Sequence, residues 1–419
     1  MGTGKTDIYV YAHWAGMPAA QRIGILGAHQ AKGKKAFSFE YDLTWLKTKA
    51  QFLLDPDINW YSGPQYPNQK ENFGVFFDSM PDTWGRTLMK RRAAQAAKEK
   101  AERPPKLYDV DFLLGVFDPS RIGALRFKTD PEGPFLDDDA EHATPPWSSI
   151  RELQYGAQQL EEDPDPASAQ KWLNLLMAPG SSLGGARPKA NILDDHGHPW
   201  IAKFPSKNDP IDKGLWEYLT YRLAEMAGIA MAESKVEKVL GHQHTFFTKR
   251  FDRMNGERVH FASAMTMTGH NEETLKNHEP SYLELAEFIQ FTGSQNVVDL
   301  QQLWRRIIFN ICVSNTDDHL RNHGFLLTEK GWILSPAYDL NPSVDKDGLS
   351  LQINETDNAL DFDLAREVGV YFEMLPQQMD ACIAEVSAAV NQWERVADEL
   401  GIRRSEKELM APAFHTLAV

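Results

Sequence analysis

The chain opens on short apolar segments and closes on longer ones with apolar residues spaced three and four apart. In residues 7–14, Asp-Ile-Tyr-Val-Tyr-Ala-His-Trp, β-branched and aromatic residues dominate, which predicts a strand; several short candidate strands follow up to about Lys49. Residues 84–102 are rich in Ala, Lys, Glu and Arg and stop before Pro104-Pro105, which predicts a helix. Residues 129–147 are acidic and Pro-rich and read as a linker or long loop. Beyond them, Ala190-Asn-Ile-Leu and Trp200-Ile-Ala-Lys-Phe flank Asp194-Asp195-His196-Gly197, a hairpin with a turn signal. A helix is predicted from about Lys213 to Ala227, stopping at Gly228. A second hairpin is predicted where Gly324-Phe-Leu-Leu-Thr and Trp332-Ile-Leu flank Glu329-Lys330-Gly331, and helices from about Asp361. There is no repeat with the period of a solenoid or propeller.

Composition narrows the class. The 419 residues are 42% hydrophobic and 25% charged, the balance of a globular protein of two or three domains. A net charge of −15 argues against binding nucleic acid through bulk charge. Cys312 and Cys382 stand alone, without a CxxC pair, which fits a reducing compartment and excludes a disulfide scaffold or Cys-rich zinc site. No apolar run reaches the ~18 residues that span a bilayer. The N-terminus has no apolar leader core, so the cytoplasm is expected, with no membrane partner.

Four pieces can carry chemistry. The first is Ser181-Ser182-Leu183-Gly184-Gly185-Ala186-Arg187-Pro188-Lys189, whose small residues let backbone N–H groups approach an anion; an ordinary turn reads the same way. The second is Lys203, amid apolar strand neighbours, where a cation is costly without a phosphate or an acid beside it. Glu217 on the following helix is the candidate acid, and a solvated helix glutamate is the plain alternative. The third is Asn315-Thr316-Asp317-Asp318-His319-Leu320-Arg321-Asn322. Asp317 stands five residues before Asn322, the kinase spacing between a base that orients the substrate hydroxyl and an amide that holds Mg²⁺. The fourth is Tyr338-Asp339-Leu340, one hairpin further on, where kinases place their main metal-binding Asp.

Three features are set aside. Gly2-Thr-Gly4-Lys5-Thr6 lacks the upstream glycine of a phosphate loop. His319 and His323 are spaced like zinc ligands, but Leu320 stands where a hydrolase needs its glutamate. The basic run at 90–106 reads first as a solvated helix face and second as a contact for nucleic acid or an acidic partner.

Together, in this order, the pieces make the chain resemble the HipA family of bacterial kinases. The resemblance is carried by 73–88 and 109–127 in the N-terminal part. In the core it is carried by Ser182 to Lys189, Ile201-Ala-Lys-Phe-Pro205, Lys249-Arg-Phe-Asp-Arg253, Thr316-Asp-Asp-His-Leu-Arg-Asn322 and Pro336-Ala-Tyr-Asp-Leu340. It implies an α+β fold with a two-lobed, protein-kinase-like core. A β-rich module would occupy 1–128, a linker 129–149, a nucleotide-binding lobe 150–255 and a mainly helical catalytic lobe 256–419. It implies an ATP- and Mg²⁺-dependent serine/threonine kinase, the toxin of a toxin–antitoxin pair. The target would be a cytosolic protein, with aminoacyl-tRNA synthetases as the family's precedent. A small helix-turn-helix antitoxin is the implied partner, with DNA reached only through it.

The implied roles are Asp317 as catalytic aspartate, Asn322 and Asp339 as Mg²⁺ ligands, and Lys203 as phosphate contact with Glu217 as its partner. Gly184, Gly185, Ala186, Arg187, Pro188 and Lys189 match the phosphate loop, and Lys249 and Phe251 the adenine hinge. His319 and Tyr338 join the nucleotide contacts, and Ser182, or its neighbour Ser181, is the autophosphorylated serine. The chain departs from many relatives in having Arg187-Pro188 where they have Gln-Glu, and it carries a second acid, Asp318, in the catalytic loop. A kinase-shaped binding module, a weak catalyst serving a DNA-binding repressor, is the competing class.

Overall fold

In the computed structural model, which describes residues 4–31, 34–48, 51–163, 169–177, 185 and 187–416, the chain divides into two compact units. The first comprises residues 1–207, 250–274 and 326–329, and the second 208–249, 275–325 and 330–419. The expected boundaries at 128, 149 and 255 therefore fall inside the first unit. Helices and sheets are mixed, as the α+β reading expects.

The first unit opens with β1 (Gly4–Ala12), β2 (Gln21–Ala31) and β3 (Lys34–Tyr41), joined by β4 (Leu125–Lys128) in an antiparallel sheet of order β3-β2-β1-β4. Alternation sets its register: Ile8 pairs with Leu26, Leu26 with Phe39 and Val10 with Phe127, and all five side chains are buried. Phe73 and Phe76, at the start of α1 (Gly74–Asp78), complete this core. Each such burial contributes about 1.5–3 kcal/mol. Helix α2 (Thr83–Glu99) begins where Asp82 accepts the Gly85 N–H at 2.9 Å, an N-cap. Helices α3 (Asp109–Leu114), α4 (Ile150–Glu162) and α5 (Ala169–Met177) follow.

The segment expected as a linker is tied down along its length. Leu136 N–H donates to Phe127 O and Asp137 N–H to Val116 O, both at 2.8 Å, and Leu193 N–H donates to Pro145 O at 2.9 Å. Its acidic and Pro-rich composition reports an irregular surface loop, whose backbone is paired all the same. The first hairpin forms from β5 (Lys189–Leu193) and β6 (Pro199–Lys203). Asp194 accepts the N–H groups of His196 and His198 at 2.9 and 2.8 Å, and Gly197 supplies φ +78°.

The second unit begins with α6 (Lys213–Met226), capped by Asp212 and stopping just before Gly228 at φ +72°. Gly214 is required there, because a Cβ would lie 2.3 Å from the His244 carbonyl oxygen. Strands β7 (Ser234–Glu237) and β8 (Thr245–Lys249) pair antiparallel. Helices α7 (Tyr282–Thr292) and α8 (Asn296–Cys312) lead to the segment singled out above. Strands Gly324–Thr328 and Gly331–Leu334 lie where the second hairpin is expected, and helices α9 (Phe362–Val368) and α10 (Pro376–Val390) follow. Among the described residues, no helix is long and apolar enough to cross a membrane.

Candidate functional site

Helix α8 buries Leu303, Ile307, Ile308 and Ile311, and on the same buried helix it carries Arg306 and Asn310. Two buried polar residues one turn apart among buried apolar ones need partners. Past Cys312 the chain turns through Ser314, at φ +47°, and enters the 315–323 loop. Asn315 N–H donates to Asn310 O at 2.9 Å, and a 3₁₀ turn spans Leu320–Asn322, with Asn322 N–H on His319 O at 2.7 Å.

The loop separates its two acids. Asp317 is exposed, whereas Asp318 is fully buried. Three donors converge on Asp318 Oδ2: the Tyr282 hydroxyl at 2.5 Å, His323 Nε2 at 2.8 Å and Asn310 Nδ2 at 2.9 Å. Burial, then the Asp318 charge and the hydrogen bond donated to it, holds the Tyr282 phenol well above its usual range, so it remains a donor. Burial pulls Arg306 down to about 10, a pull opposed first by Asp318, so it stays a cation at neutral pH.

Asn322 turns its Nδ2 onto the Asp317 carbonyl at 3.1 Å, and its buried Oδ1 has no hydrogen-bond partner among the described residues. Asp318 Oδ1, His319 Nδ1 and His323 Nδ1 are likewise buried without a hydrogen-bond partner. Asp339 adopts φ +59°, a conformation that a non-glycine residue holds at a cost and that clusters at functional sites. Its Oδ1 accepts from Asn341 Nδ2 at 3.2 Å, and Asn341 N–H donates to Asn315 Oδ1 at 3.3 Å. The Tyr338 hydroxyl donates to Arg321 O at 2.7 Å, a second tie between the 338–341 turn and the loop. The second unit thus brings Asp317, His319, Asn322, Tyr338 and Asp339 into one hydrogen-bonded assembly. Glu217 lies buried in α6. Lys249, at the end of β8, forms an exposed ion pair with Glu233 at 3.2 Å.

The other candidates belong to the first unit. Lys203 closes β6, half-buried, in register with Lys189. Lys189 is buried, and its ammonium pairs with Asp82 at 2.9 Å; the N-cap of α2 thereby also anchors the start of β5. The Trp84 indole N–H adds a bond to Lys189 O at 3.1 Å. Lys189 therefore holds a structural ion pair across the two stretches that were read separately from the sequence.

Gly185 takes φ +97°, a region that favours glycine, and a Cβ there would lie 3.1 Å from Lys189 Nζ. Arg187 Nη2 donates to Phe204 O at 3.4 Å, and Phe204 N–H donates to the carbonyl of buried Pro188 at 2.9 Å. Phe251 lies 6.0 Å from Phe261, centroid to centroid. Ser181, Ser182, Gly184 and Ala186 lie outside the described residues.

Sequence reasoning treated Asp318 as a surplus acid and passed over Tyr282, Asn310, Asn315 and Asn341. The available signal was Arg306 and Asn310, four residues apart and interleaved with the apolar Leu303, Ile307 and Ile311.

Residues 181–393, half of the chain, match the family described as HipA-like C-terminal domain. The "Putative kinase Y4mE" of Sinorhizobium fredii is 24% identical over 209 residues, 46% of this chain and 48% of that protein. A "Putative kinase" of Haemophilus influenzae is 26% identical over 198 residues, 42% of this chain and 57% of that protein. The matched stretch spans about half the length of each. Among solved structures, the HipA toxin–antitoxin system of Shewanella oneidensis, in complex with HipB and its operator DNA, is similar with a TM-score of 0.61 and 17% identity. That match covers 97% of this chain and 94% of the other, and is a likeness of fold.

Proposed function

The chain belongs to the HipA-like family, and from that premise we propose that it is an ATP- and Mg²⁺-dependent serine/threonine protein kinase. The observation that carries the reading is the Asn322 side chain. Its amide nitrogen is spent on the Asp317 carbonyl, while its oxygen is buried with no hydrogen-bond partner. A buried acceptor left unsatisfied costs about 1–3 kcal/mol, and a hard cation that takes oxygen ligands answers that cost. Asn322 Oδ1 and the Asp339 carboxylate are the oxygen donors that fit Mg²⁺ here. When bound, Mg²⁺ neutralises charge on the ATP phosphates.

In this reading the chain's own groups divide the work. Asp317, exposed at the rim of the loop, accepts the proton of the substrate hydroxyl and orients it toward the γ-phosphoryl. Lys203 is assigned to the nucleotide phosphates, and 249–251 to adenine. His319 Nδ1, buried without a hydrogen-bond partner, is a further polar atom available to nucleotide. We assign autophosphorylation to Ser182 or Ser181, a small helix-turn-helix protein as the partner, and DNA contact through that partner alone.

The test is phosphoryl transfer by the purified chain with ATP and Mg²⁺, read as added mass on itself and on cytosolic protein. Asp317→Ala should reduce transfer by roughly 10²–10⁴-fold. Peptide mapping should place the self-added phosphate on 181–182. A wild-type protein that transfers nothing contradicts the reading.

A further inference from the structure

Asp318 has no part in the transfer just described, yet it is the best-connected group in the loop. Three elements each send it a donor: Tyr282 at the start of α7, Asn310 on α8, and His323 just past the 3₁₀ turn. A buried carboxylate is tolerated only with such partners, and removing them leaves a charge whose burial costs several kcal/mol. The loop is therefore held where Asp318 can reach all three.

The connection continues beyond Asp318. Asn310 takes the Asn315 amide N–H on its Oδ1 at 3.0 Å, and Asn315 Oδ1 takes the Asn341 backbone N–H at 3.3 Å. Asn341 in turn donates to Asp339 Oδ1 at 3.2 Å. A path of hydrogen bonds, carried through the covalent frame of Asn341 from its backbone N–H to its side chain, runs from Asp318 to Asp339, one of the two proposed Mg²⁺ ligands. At the other end, the residue before Asp318 supplies the carbonyl that orients Asn322, the second ligand. Side-chain amides suit such a path, because each can donate on one side and accept on the other.

We infer that Asp318 is a positioning residue: through Asn310, Asn315 and Asn341 it fixes the separation and aim of Asn322 and Asp339. The inference rests on the kinase reading above. Its physical basis is the narrow tolerance of the ion. Mg²⁺ demands near-octahedral oxygen contacts at about 2.0–2.1 Å, so ligands on two different turns must be registered against each other beforehand. The Asp318 path is one such link, beside the Tyr338–Arg321 tie, and it needs no contact between Asp318 and either the ion or ATP.

The test is Asp318→Asn, which keeps the shape and removes the charge, with Tyr282→Phe as a milder variant that deletes one donor. Transfer by Asp318→Asn should fall about 10–100-fold, with the Mg²⁺ concentration for half-maximal rate raised by a comparable factor, the range seen when outer partners of metal ligands are removed. KM for ATP at saturating Mg²⁺ should hold, and Tyr282→Phe should shift the same quantities less. In the ligand-free protein, amide hydrogen exchange should quicken at 315–322 and 341 and stay unchanged in α10.

A merely structural Asp318 would instead lower the melting temperature and the active fraction, quicken exchange throughout the second unit and leave the Mg²⁺ requirement alone; that pattern overturns the inference. So does Asp318→Asn with wild-type exchange and wild-type Mg²⁺ dependence. If the wild-type protein itself transfers nothing and binds no ATP with Mg²⁺, the kinase reading is what has failed. The exchange data then still judge whether Asp318 holds the loop, and unchanged exchange sinks that as well.

Discussion

Two buried polar clusters, one in each unit, are centred on buried aspartates and finished differently. In the first unit, Asp252 accepts from Arg250 at 2.9 and 2.7 Å, from Arg253 at 2.7 Å and from Gly123 N–H at 2.7 Å. Asp118 accepts from Arg126 at 2.6 Å and Arg258 at 3.2 Å. The remaining guanidinium N–H groups reach backbone carbonyls, such as Arg250 to Ser120 at 2.5 Å and Arg253 to Pro119 at 3.0 Å. Burial pushes the Asp252 carboxyl up, but the charges of Arg250 and Arg253 outweigh it and hold it well below the usual range. Both carboxylates are saturated by the chain itself. In the second unit, Asp318 Oδ1, Asn322 Oδ1, His319 Nδ1 and His323 Nδ1 have no hydrogen-bond partner among the described residues. A saturated cluster joins distant stretches of chain; an unfinished one keeps capacity for something the chain does not contain.

The sharpest way to break this contrast is to delete a group from each cluster. Asn322→Ala or Asp339→Ala should take phosphoryl transfer to background. Because Asn322→Ala also removes a partnerless buried acceptor, its melting temperature should match or exceed the wild type, by scanning calorimetry. Asp252→Ala should do the reverse. It leaves Arg250 and Arg253 buried without their counter-charge, so unfolding in denaturant should show a loss of about 3–5 kcal/mol, while KM for ATP of the folded fraction holds. Equal stability losses from the two deletions would erase the distinction.

A smaller effect separates the units by pH. His260, in the first unit, is fully buried against the Trp14 ring at 5.7 Å, and burial pushes it down to about 3. Its folded pKa is depressed, so the unfolded chain takes up this proton below about 6.5 while the folded chain does not. The stability tied to a neutral His260 is complete above that pH. It is lost as pH falls toward 3, at up to about 1.4 kcal/mol per pH unit. His260→Leu should flatten that part of the stability–pH curve, measured by denaturant unfolding between pH 4 and 7. The smallest effect belongs to Lys249→Ala. Its pair with Glu233 is exposed, and unfolding should change by less than about 1 kcal/mol.

How much of this was legible in the sequence depended on whether the signal was local. The strand at the start, the helix expected at 84–102, the two hairpins and the stop at Gly228 follow from periodicity, local composition and turn residues a few positions apart. The Asp317–Asn322 spacing and the place of Asp339 were legible because one loop and one turn carry them. What stayed hidden joins residues far apart in the chain. The ion pair of Lys189 with Asp82 was not legible, because the two lie 107 residues apart. The acidic 129–147 stretch read as a linker or long loop, and composition could not choose between them because it does not reveal where the backbone bonds go. Asp318 looked like a second copy of Asp317, and only the helix behind it shows that one acid faces solvent and the other is buried.

The central claim is that Asn322 and Asp339 hold the metal that brings ATP to this loop, with Asp317 acting on the hydroxyl alone. Calorimetric titration of ATP with and without Mg²⁺, on the wild type, Asp317→Ala and Asp339→Ala, tests it most directly. The account predicts Mg²⁺-dependent binding that Asp317→Ala retains and Asp339→Ala loses. Binding that is indifferent to Mg²⁺, or that survives Asp339→Ala at full strength, would contradict it.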